Sequence, residues 1–320
     1  MKKILVILSI LVLSSSIQSC SKNEESFVME PKTIANIIDE SMGYSYLSYA
    51  LKKTNLTAVL NGTDKYTLLA PSNMAFREFL MENGFDSIDD VPSNLLKQVL
   101  LNHVIAGVLE YSNIETGYLK SAATSEASET PLSIYIKQVN MRVTINGESR
   151  VTQGNVYATN GVIHAVDRVV PIPSIVTFAI ADKGLTNLLT ALTRSDLTAD
   201  FASILSTNIG NAPAPFTVFA PTDQAFIDLL VELGVQSLSD INEPTLKATL
   251  TYHVIGETSA YSTDLSDNLE LNTLGGPITA NITGGATLTD GNNRVSNIVA
   301  VDIQADNGVI HVIDKVILPN

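Results

Sequence analysis

The chain has 320 residues, of which 45% are hydrophobic and 16% are charged, and its formal net charge is −14. So many apolar residues can fill two packed cores, which excludes an intrinsically disordered chain. The acidic balance repels phosphate backbones, and the sequence contains no run of lysine and arginine to offset it, which argues against nucleic acid as a partner.

The chain begins with the three parts of a secretory signal peptide, which we assign to residues 1–19. Two early lysines precede an apolar run from Ile4 to Leu13, which is too short to stay in a bilayer as a spanning helix. The segment IQSC then resembles a bacterial lipobox, with Ile17 where leucine is commonest. This resemblance predicts cleavage before Cys20 and lipidation of Cys20, the only cysteine; a free thiol beside an ordinary cleavage site is the alternative.

Residues 20–31 are predicted to form a polar tether behind the lipid. Glu24 and Glu25 resemble the short acidic signal that directs Bacteroidetes lipoproteins to the outer face of the outer membrane, and a plain solvated linker is the alternative. Loss of the two early lysines leaves 17 basic and 33 acidic side chains, a charge of 17 − 33 = −16. We therefore expect a cell-envelope protein that is lipid-anchored to the outer membrane, with surface exposure indicated by the acidic signal.

The region after the tether starts with helices and continues with strands, which is the order of an α+β domain. In TIANIIDESM the three isoleucines Ile34, Ile37 and Ile38 fall on one helical face. The strand YTLLAP ends at a proline, and Ser72 after it can cap the next helix. The segment PSNLLKQVLLNHV is predicted to be an amphipathic helix with an apolar stripe made of Leu95, Leu96, Val99 and Leu100.

The later part of this region is predicted to be strands joined by tight turns. In VTINGESRV, Asn146 and Gly147 stand between alternating residues, which is a strong hairpin signal. In the next strand, NGVIHAVD, alternation places His164 and Asp167 on opposite faces, each among apolar neighbours. A strand that is apolar on both faces belongs in the interior of a covered sheet.

The same elements then occur a second time. Three pairs of segments correspond. YTLLAPSNMAF at residues 66–76 matches FTVFAPTDQAF at 216–226, and NHVIAGVLEYS at 102–112 matches YHVIGETSAYS at 252–262. NGVIHAVDRVV at 160–170 matches NGVIHVIDKVI at 307–317. The period of 147–150 residues is the size of a domain. We predict two domains, 32–173 and 174–320, which meet at the proline-containing segment PIPSI.

Histidines are the candidate metal ligands, and each repeat has two of them at matching positions. They are His103 and His164 in the first repeat and His253 and His311 in the second. Two imidazoles are fewer ligands than a protein metal site usually has. The two repeats contain no cysteine and no HxH or HxxxH spacing that would complete such a site. We predict buried, neutral imidazoles that hydrogen-bond to the backbone; a metal or haem iron site is the alternative. The aspartates that follow, Asp167 and Asp314, are predicted to accept backbone or hydroxyl hydrogen bonds.

Catalytic motifs are missing from the sequence. It contains no GxSxG elbow, no Walker loop and no GxGxxG after a strand. The segment TDGNN, residues 289–293, lacks the alternating acidic ligands of a calcium loop. We therefore predict no enzyme, no catalytic residue, no metal and no cofactor.

Three segments carry a family resemblance. FTVFAPTDQAF, YHVI and NGVIHVIDKVILP resemble the three sequence blocks of the fasciclin (FAS1) family, and both halves of the chain have them in family order. The resemblance implies two tandem domains, each a wedge-shaped β-sandwich flanked by helices. It also implies, from the adhesive members, a binding surface at Tyr252 and His253. The matching pair in the first domain is Asn102 and His103, which departs from the family because asparagine replaces the tyrosine.

Together these observations predict a non-enzymatic lipoprotein that binds or adheres to an extracellular or envelope protein or glycan. Its membrane contact would be the lipid anchor. The alternative is an accessory lipoprotein of an uptake system that binds a small molecule, a metal or haem near the histidines. These two functions would differ in whether a stoichiometric metal or haem accompanies the protein.

Overall fold

The structure is a computed structural model that describes residues 31–126 and 128–320. The predicted signal peptide, the predicted lipidation site Cys20 and nearly all of the predicted tether lie outside the described residues. Residues Lys32–Asn320 form one compact unit. This unit contains two seven-stranded sheets accompanied by helices, so the predicted α+β class is confirmed. The division at residues 173 and 174 stays a prediction.

The first half of the unit contains five helices and seven strands in the described residues. The helices are α1 (Ile34–Glu40), α2 (Ser45–Lys53), α3 (Thr57–Leu60), α4 (Asn73–Glu82) and α5 (Ser93–Asn102). The strands are β1 (Tyr66–Pro71), β2 (Val104–Ala106), β3 (Gly117–Thr124), β4 (Pro131–Val139), β5 (Arg142–Ile145), β6 (Ser149–Ala158) and β7 (Gly161–Val166).

The second half repeats this order of elements. Its helices are α6 (Ile175–Ala181), α7 (Thr186–Leu192), α8 (Phe201–Leu205), α9 (Asp223–Leu233) and α10 (Glu243–Tyr252). Its strands are β8 (Phe216–Pro221), β9 (Val254–Ile255), β10 (Leu269–Thr273), β11 (Gly276–Asn281), β12 (Thr287–Thr289), β13 (Val295–Ala305) and β14 (Gly308–Ile313).

Both sheets have the same topology. The strand order is β2-β1-β7-β6-β5-β4-β3 in the first and β10-β11-β12-β13-β14-β8-β9 in the second. Among the described strands, two pairs are parallel, β1 with β7 and β8 with β14, and the others are antiparallel. The sheets curl toward closure, since β2 packs against β3, and the Leu274 N–H donates to the Val254 carbonyl at 2.7 Å.

Curling gives each half two apolar layers. In the first half the helices pack on the sheet through Phe76, Leu96 and Ile163. Inside the curl, Ile134 of β4 and Val143 of β5 pack together with residues of β1 and β7. The second half has the same two layers. This is a sandwich made from one curled sheet, with helices on its outside.

The motif strands β7 and β14 are central and buried along their whole length, as predicted. Each begins at a glycine in a backbone conformation that L side chains rarely adopt, with φ +151° at Gly161 and +155° at Gly308. A Cβ atom at Gly161 would lie 1.9 Å from the Tyr66 carbonyl oxygen, and one at Gly308 would lie 2.3 Å from that of Phe216. Only glycine fits where these parallel strands meet.

The helix predictions hold with one exception. Ser72 accepts a hydrogen bond from the Ala75 N–H at 3.2 Å and caps α4, as predicted. The stripe of α5 is wrong at Leu95, which is 38% exposed. Leu95 lies at the solvent edge of the stripe, and the additional buried position on this helix is Asn102.

Aromatic side chains of the first half pack into the core of the second. The Tyr118 ring meets Phe178 of α6 edge-on, with centroids 5.4 Å apart, and lies 4.9 Å from the Tyr135 ring. The Tyr118 hydroxyl donates to Asp182 Oδ2 at 3.0 Å. Burial, followed by the charge of Asp182, raises the pKa of Tyr118, so this hydroxyl stays protonated and able to donate.

Polar contacts between β4 and β13 accompany these rings. The buried Ser133 Oγ accepts a hydrogen bond from the Gln304 N–H at 2.9 Å. Lys120 Nζ donates to Ser133 Oγ at 3.0 Å and to the Asp302 carbonyl at 2.7 Å. The two halves are therefore joined through matched polar and aromatic groups as well as through the chain.

We expect Tyr118→Phe to lower the free energy of unfolding by about 1–2 kcal/mol, because it removes a hydrogen bond to a carboxylate and keeps the ring packing. Urea unfolding measures the change. Tyr111→Phe is the matched control, since that hydroxyl bonds the exposed Met141 carbonyl within the first half. Equal losses in the two variants would contradict a role for Tyr118 in joining the halves.

No single helix in the described residues is long and apolar enough to cross a membrane. One pair, Ile175–Ala181 with Lys183–Leu192, reaches the required length and composition only when both pieces are taken together across a 95° bend.

Candidate functional site

His103 and His253 stand at the C-terminal ends of α5 and α10. The His103 Nδ1–H donates to the Val99 carbonyl at 2.7 Å, and Nε2 accepts from the Val170 N–H at 2.8 Å. In the second half, His253 Nδ1–H donates to the Thr249 carbonyl at 2.7 Å, and Nε2 accepts from Ile317 N–H at 3.2 Å. Each ring therefore joins a helix end to the segment that follows the central strand.

His164 and His311 lie on the central strands and use the opposite tautomer. The His164 Nε2–H donates to the Leu109 carbonyl at 2.8 Å, and Nδ1 accepts from the Asn155 N–H at 3.2 Å. Because a carbonyl only accepts, the proton must be on Nε2. His311 repeats this arrangement with the Ala260 carbonyl at 2.8 Å and the Asp302 N–H at 3.4 Å.

The partners Asn155 and Asp302 stand at irregularities in β6 and β13 and have positive φ angles of 60° and 56°. Each side chain also accepts a hydrogen bond from the first residue of a short 3-10 turn that lies earlier in the chain, Tyr111–Asn113 or Ser262–Asp264. Asn155 Oδ1 accepts from the Tyr111 N–H at 2.8 Å, and Asp302 Oδ1 accepts from the Ser262 N–H at 2.9 Å. The bulge thus turns a backbone N–H toward each imidazole.

Electrostatics keep all four imidazoles neutral at pH 7. Burial lowers the pKa of His103 and His253 to about 4, against a smaller opposing effect of their carbonyl partners. Burial also lowers the pKa of His164 and His311. Both ring nitrogens of every histidine already have a backbone partner, so a metal would have to displace one of them. Across residues 31–126 and 128–320, no three His, Cys, Asp or Glu side chains gather as metal ligands.

The motif aspartates bond to the strand beside them. Asp167 Oδ1 accepts from the Arg150 N–H, and Asp314 Oδ1 accepts from the Asn297 N–H, each at 2.7 Å. Asp314 Oδ2 also accepts from the Asn297 side chain at 2.7 Å. These carboxylates accept backbone hydrogen bonds, the role that the sequence predicts for them.

The residues that the resemblance marks for binding lie inside the protein. Tyr252 is 2% exposed, its hydroxyl donates to the Pro277 carbonyl at 2.6 Å, and it accepts from the Gly291 N–H at 3.0 Å. Asn102 is fully buried and donates to the Pro171 carbonyl at 2.9 Å. His103 and His253 are also buried, so a partner that binds in this region would contact the residues around them. Binding at this place stays a prediction.

The motif asparagines Asn160 and Asn307 are structural residues that the sequence patterns did not predict. Asn307 Oδ1 accepts from the Ile175 N–H at 3.0 Å, and its amide donates to the Leu205 carbonyl at 2.7 Å and the Thr207 carbonyl at 3.1 Å. Asn160 makes the three matching bonds in the first half. The repetition of NGVIH in both halves was the available signal.

Fold and motif together define a two-domain scaffold whose repeated polar residues hold strands, helix ends and turns in place. The fasciclin domain family model matches residues 42–173 and 183–319. The chain therefore belongs to the fasciclin (FAS1) domain family, with two tandem domains.

Named relatives come from several kingdoms. A fasciclin-like arabinogalactan protein of Arthroderma benhamiae is 26% identical over 302 residues, covering 90% of this chain and 67% of the relative. An uncharacterised Synechocystis protein is 38% identical over 150 residues, 46% of this chain and 98% of the relative. Human periostin is 29% identical over 275 residues, 83% of this chain but 30% of periostin.

A solved structure is also similar. It is the FAS1 domain pair of the insect cell adhesion molecule fasciclin I, at 20% identity and a TM-score of 0.49, covering 84% of this chain and 92% of that one.

Proposed function

We propose that this protein is a non-enzymatic cell-envelope protein that adheres to an extracellular protein or glycan. FAS1 domains are found in adhesive and matrix-binding proteins, and most members of the family are not enzymes. The observation that carries the proposal is the complete internal use of the repeated motif. All four histidines, both asparagines and both aspartates bond within the fold, which leaves recognition to the outer surfaces.

The proposal includes a lipid anchor at Cys20, supported by the lipobox-like segment IQSC and the polar tether after it. Several acyl chains on one residue hold a protein stably at a membrane. Two domains on a short tether can bind a partner with repeated epitopes more tightly than one domain would. Metal or haem binding by the histidines is not favoured, because each ring would have to give up a backbone hydrogen bond.

A cell adhesion assay tests both parts. Cells expressing the full chain are expected to adhere to a surface coated with at least one matrix protein or glycan. With Cys20→Ser the protein is expected in the medium and adhesion is lost; Ser21→Ala is the control that should retain both anchor and adhesion. Failure of the expressing cells to adhere to any coating would contradict the binding function, whereas normal retention of Cys20→Ser would contradict only the anchor.

A further inference from the structure

A cleft of about 1030 Å³ lies along the outer face of β4, β5 and β6 and reaches the end of α6. Its lining has four cations: Lys137, Arg142 and Arg150 from the first half, and Lys183 from the second. Asp167 is the one carboxylate among the lining residues, so the lining carries four positive charges and one negative, a net +3. The whole chain has a net charge of −14. The cleft is thus a positive site on an acidic protein.

Strand register explains why three of these cations share a face. Lys137 stands opposite Thr144, and Thr144 stands opposite Arg150, so these residues form a row across the three strands. Arg142 is two residues from Thr144 on the same strand and therefore points to the same side. Lys183 follows α6 and approaches from the second domain.

The cations of the cleft are not used in ion pairs. Within the described residues, none of the four has a carboxylate oxygen within 4.0 Å, whereas Lys53, Arg194 and Arg294 elsewhere do. In the part of the chain that the structure describes, Lys183 Nζ donates only to the Ile180 carbonyl, at 3.3 Å. Asp167 Oδ1 already accepts the Arg150 backbone N–H. An anion entering the cleft would therefore find the positive side chains available.

The second domain shows that the fold does not need these charges. There, Asn281 stands opposite Thr287, and Thr287 stands opposite Asn297, which is the same row across β11, β12 and β13. Asparagines thus occupy the places of Lys137 and Arg150. Both domains form the same strands, so the strands do not require Lys137 and Arg150, and these cations change only the surface of the first domain.

We propose that this cleft binds an anionic glycan, a strand bearing carboxylate or sulfate groups. Guanidinium groups pair with such oxyanions through two parallel hydrogen bonds. Hydroxyl and amide groups of Thr144, Thr152 and Asn140 stand among the cations, and they match sugar hydroxyls. None of the lining residues in the described structure is aromatic, so nucleobases would lack stacking partners. A flat bilayer would not enter a concave site. The inference rests on the proposed binding function and names its partner class.

Binding of the purified full chain to chondroitin sulfate, polygalacturonate, neutral dextran and phosphatidylglycerol vesicles tests the proposal. The test variant is Lys137→Asn/Arg150→Asn, which introduces the residues that the second domain uses. The control, Lys97→Gln/Lys315→Gln, removes two exposed cations outside the cleft and changes the net charge equally. We expect binding to at least one anionic glycan and none to dextran. The test variant should raise the Kd about tenfold or more, because it loses charge-assisted hydrogen bonds, and the control should leave it within about twofold.

Several results would overturn the inference: no binding to either anionic glycan, equal weakening by the test and control variants, or binding to vesicles alone. If anionic glycans fail while the expressing cells still adhere to a protein-coated surface, the cleft proposal falls and the adhesive function stands. If the anionic glycans fail and the cells also adhere to nothing, both fall.

Discussion

Gly308→Ala is expected to destabilise the protein by about 4 kcal/mol, combining overpacking with backbone strain of comparable size. The added Cβ would lie 2.3 Å from the Phe216 carbonyl oxygen and 2.8 Å from its nitrogen. These are backbone atoms of the neighbouring parallel strand, paired in register with Gly308, so they cannot move without breaking the sheet. Urea unfolding should show a lower midpoint. Gly161→Ala should act alike in the first domain.

Gly284→Ala is the matched control for this effect. Gly284 has φ +85°, but a Cβ there would have no atom within 4 Å. The variant therefore has backbone strain without overpacking, and its free energy of unfolding should fall by about 1 kcal/mol. If Gly308→Ala unfolded at the same urea concentration as Gly284→Ala, the close approach of β8 and β14 would not be a constraint on the sequence.

Acidification from pH 7 to pH 4 is expected to remove about 3 kcal/mol of stability for each of His103 and His253. Their pKa falls from 6.5 in the unfolded chain to about 4 in the fold. Between these values the unfolded chain binds more protons, so the stabilisation is fully present above pH 6.5. It is lost as the pH falls toward 4. Urea unfolding at several pH values measures the slope.

Comparison with His253→Gln separates this contribution from that of the carboxylates. The variant should be less stable at pH 7, because the bonds to Thr249 and Ile317 are disturbed. Its loss of stability between pH 7 and pH 4 should be smaller than that of the wild type by about 3 kcal/mol, because one proton uptake on unfolding is gone. An unchanged slope would contradict a buried neutral imidazole at position 253.

Local patterns in the sequence predicted much of the fold because the responsible forces act over a few residues. The Ser72 cap and the turn at Asn146 and Gly147 depend on near neighbours in the chain. The central strands were predictable because burial on both faces leaves an apolar run around His164 and His311. Because the motifs occur in both halves, two segments of the chain supported the prediction of each central strand.

The structural features that the sequence did not predict depend on contacts between residues far apart in the chain. Burial of Tyr252 follows from β11 and the turn at Gly291, both far along the chain. Asn160 bonds residues 98–126 positions away. Likewise strand register brings Lys137, Arg142 and Arg150 to one face, and the packing of the segment after α6 adds Lys183; neither effect is visible in a short segment.

If the protein is anchored as proposed, the junction formed by Tyr118, Ser133 and their partners has a mechanical consequence. A pull on a partner held by the second domain would pass into β4 and β3 through Gln304, Phe178 and Asp182 as well as along the chain. Such a load is shared among several contacts in parallel, so it does not fall on the connecting segment alone. The spacing between the outer surfaces of the two domains would then persist under tension.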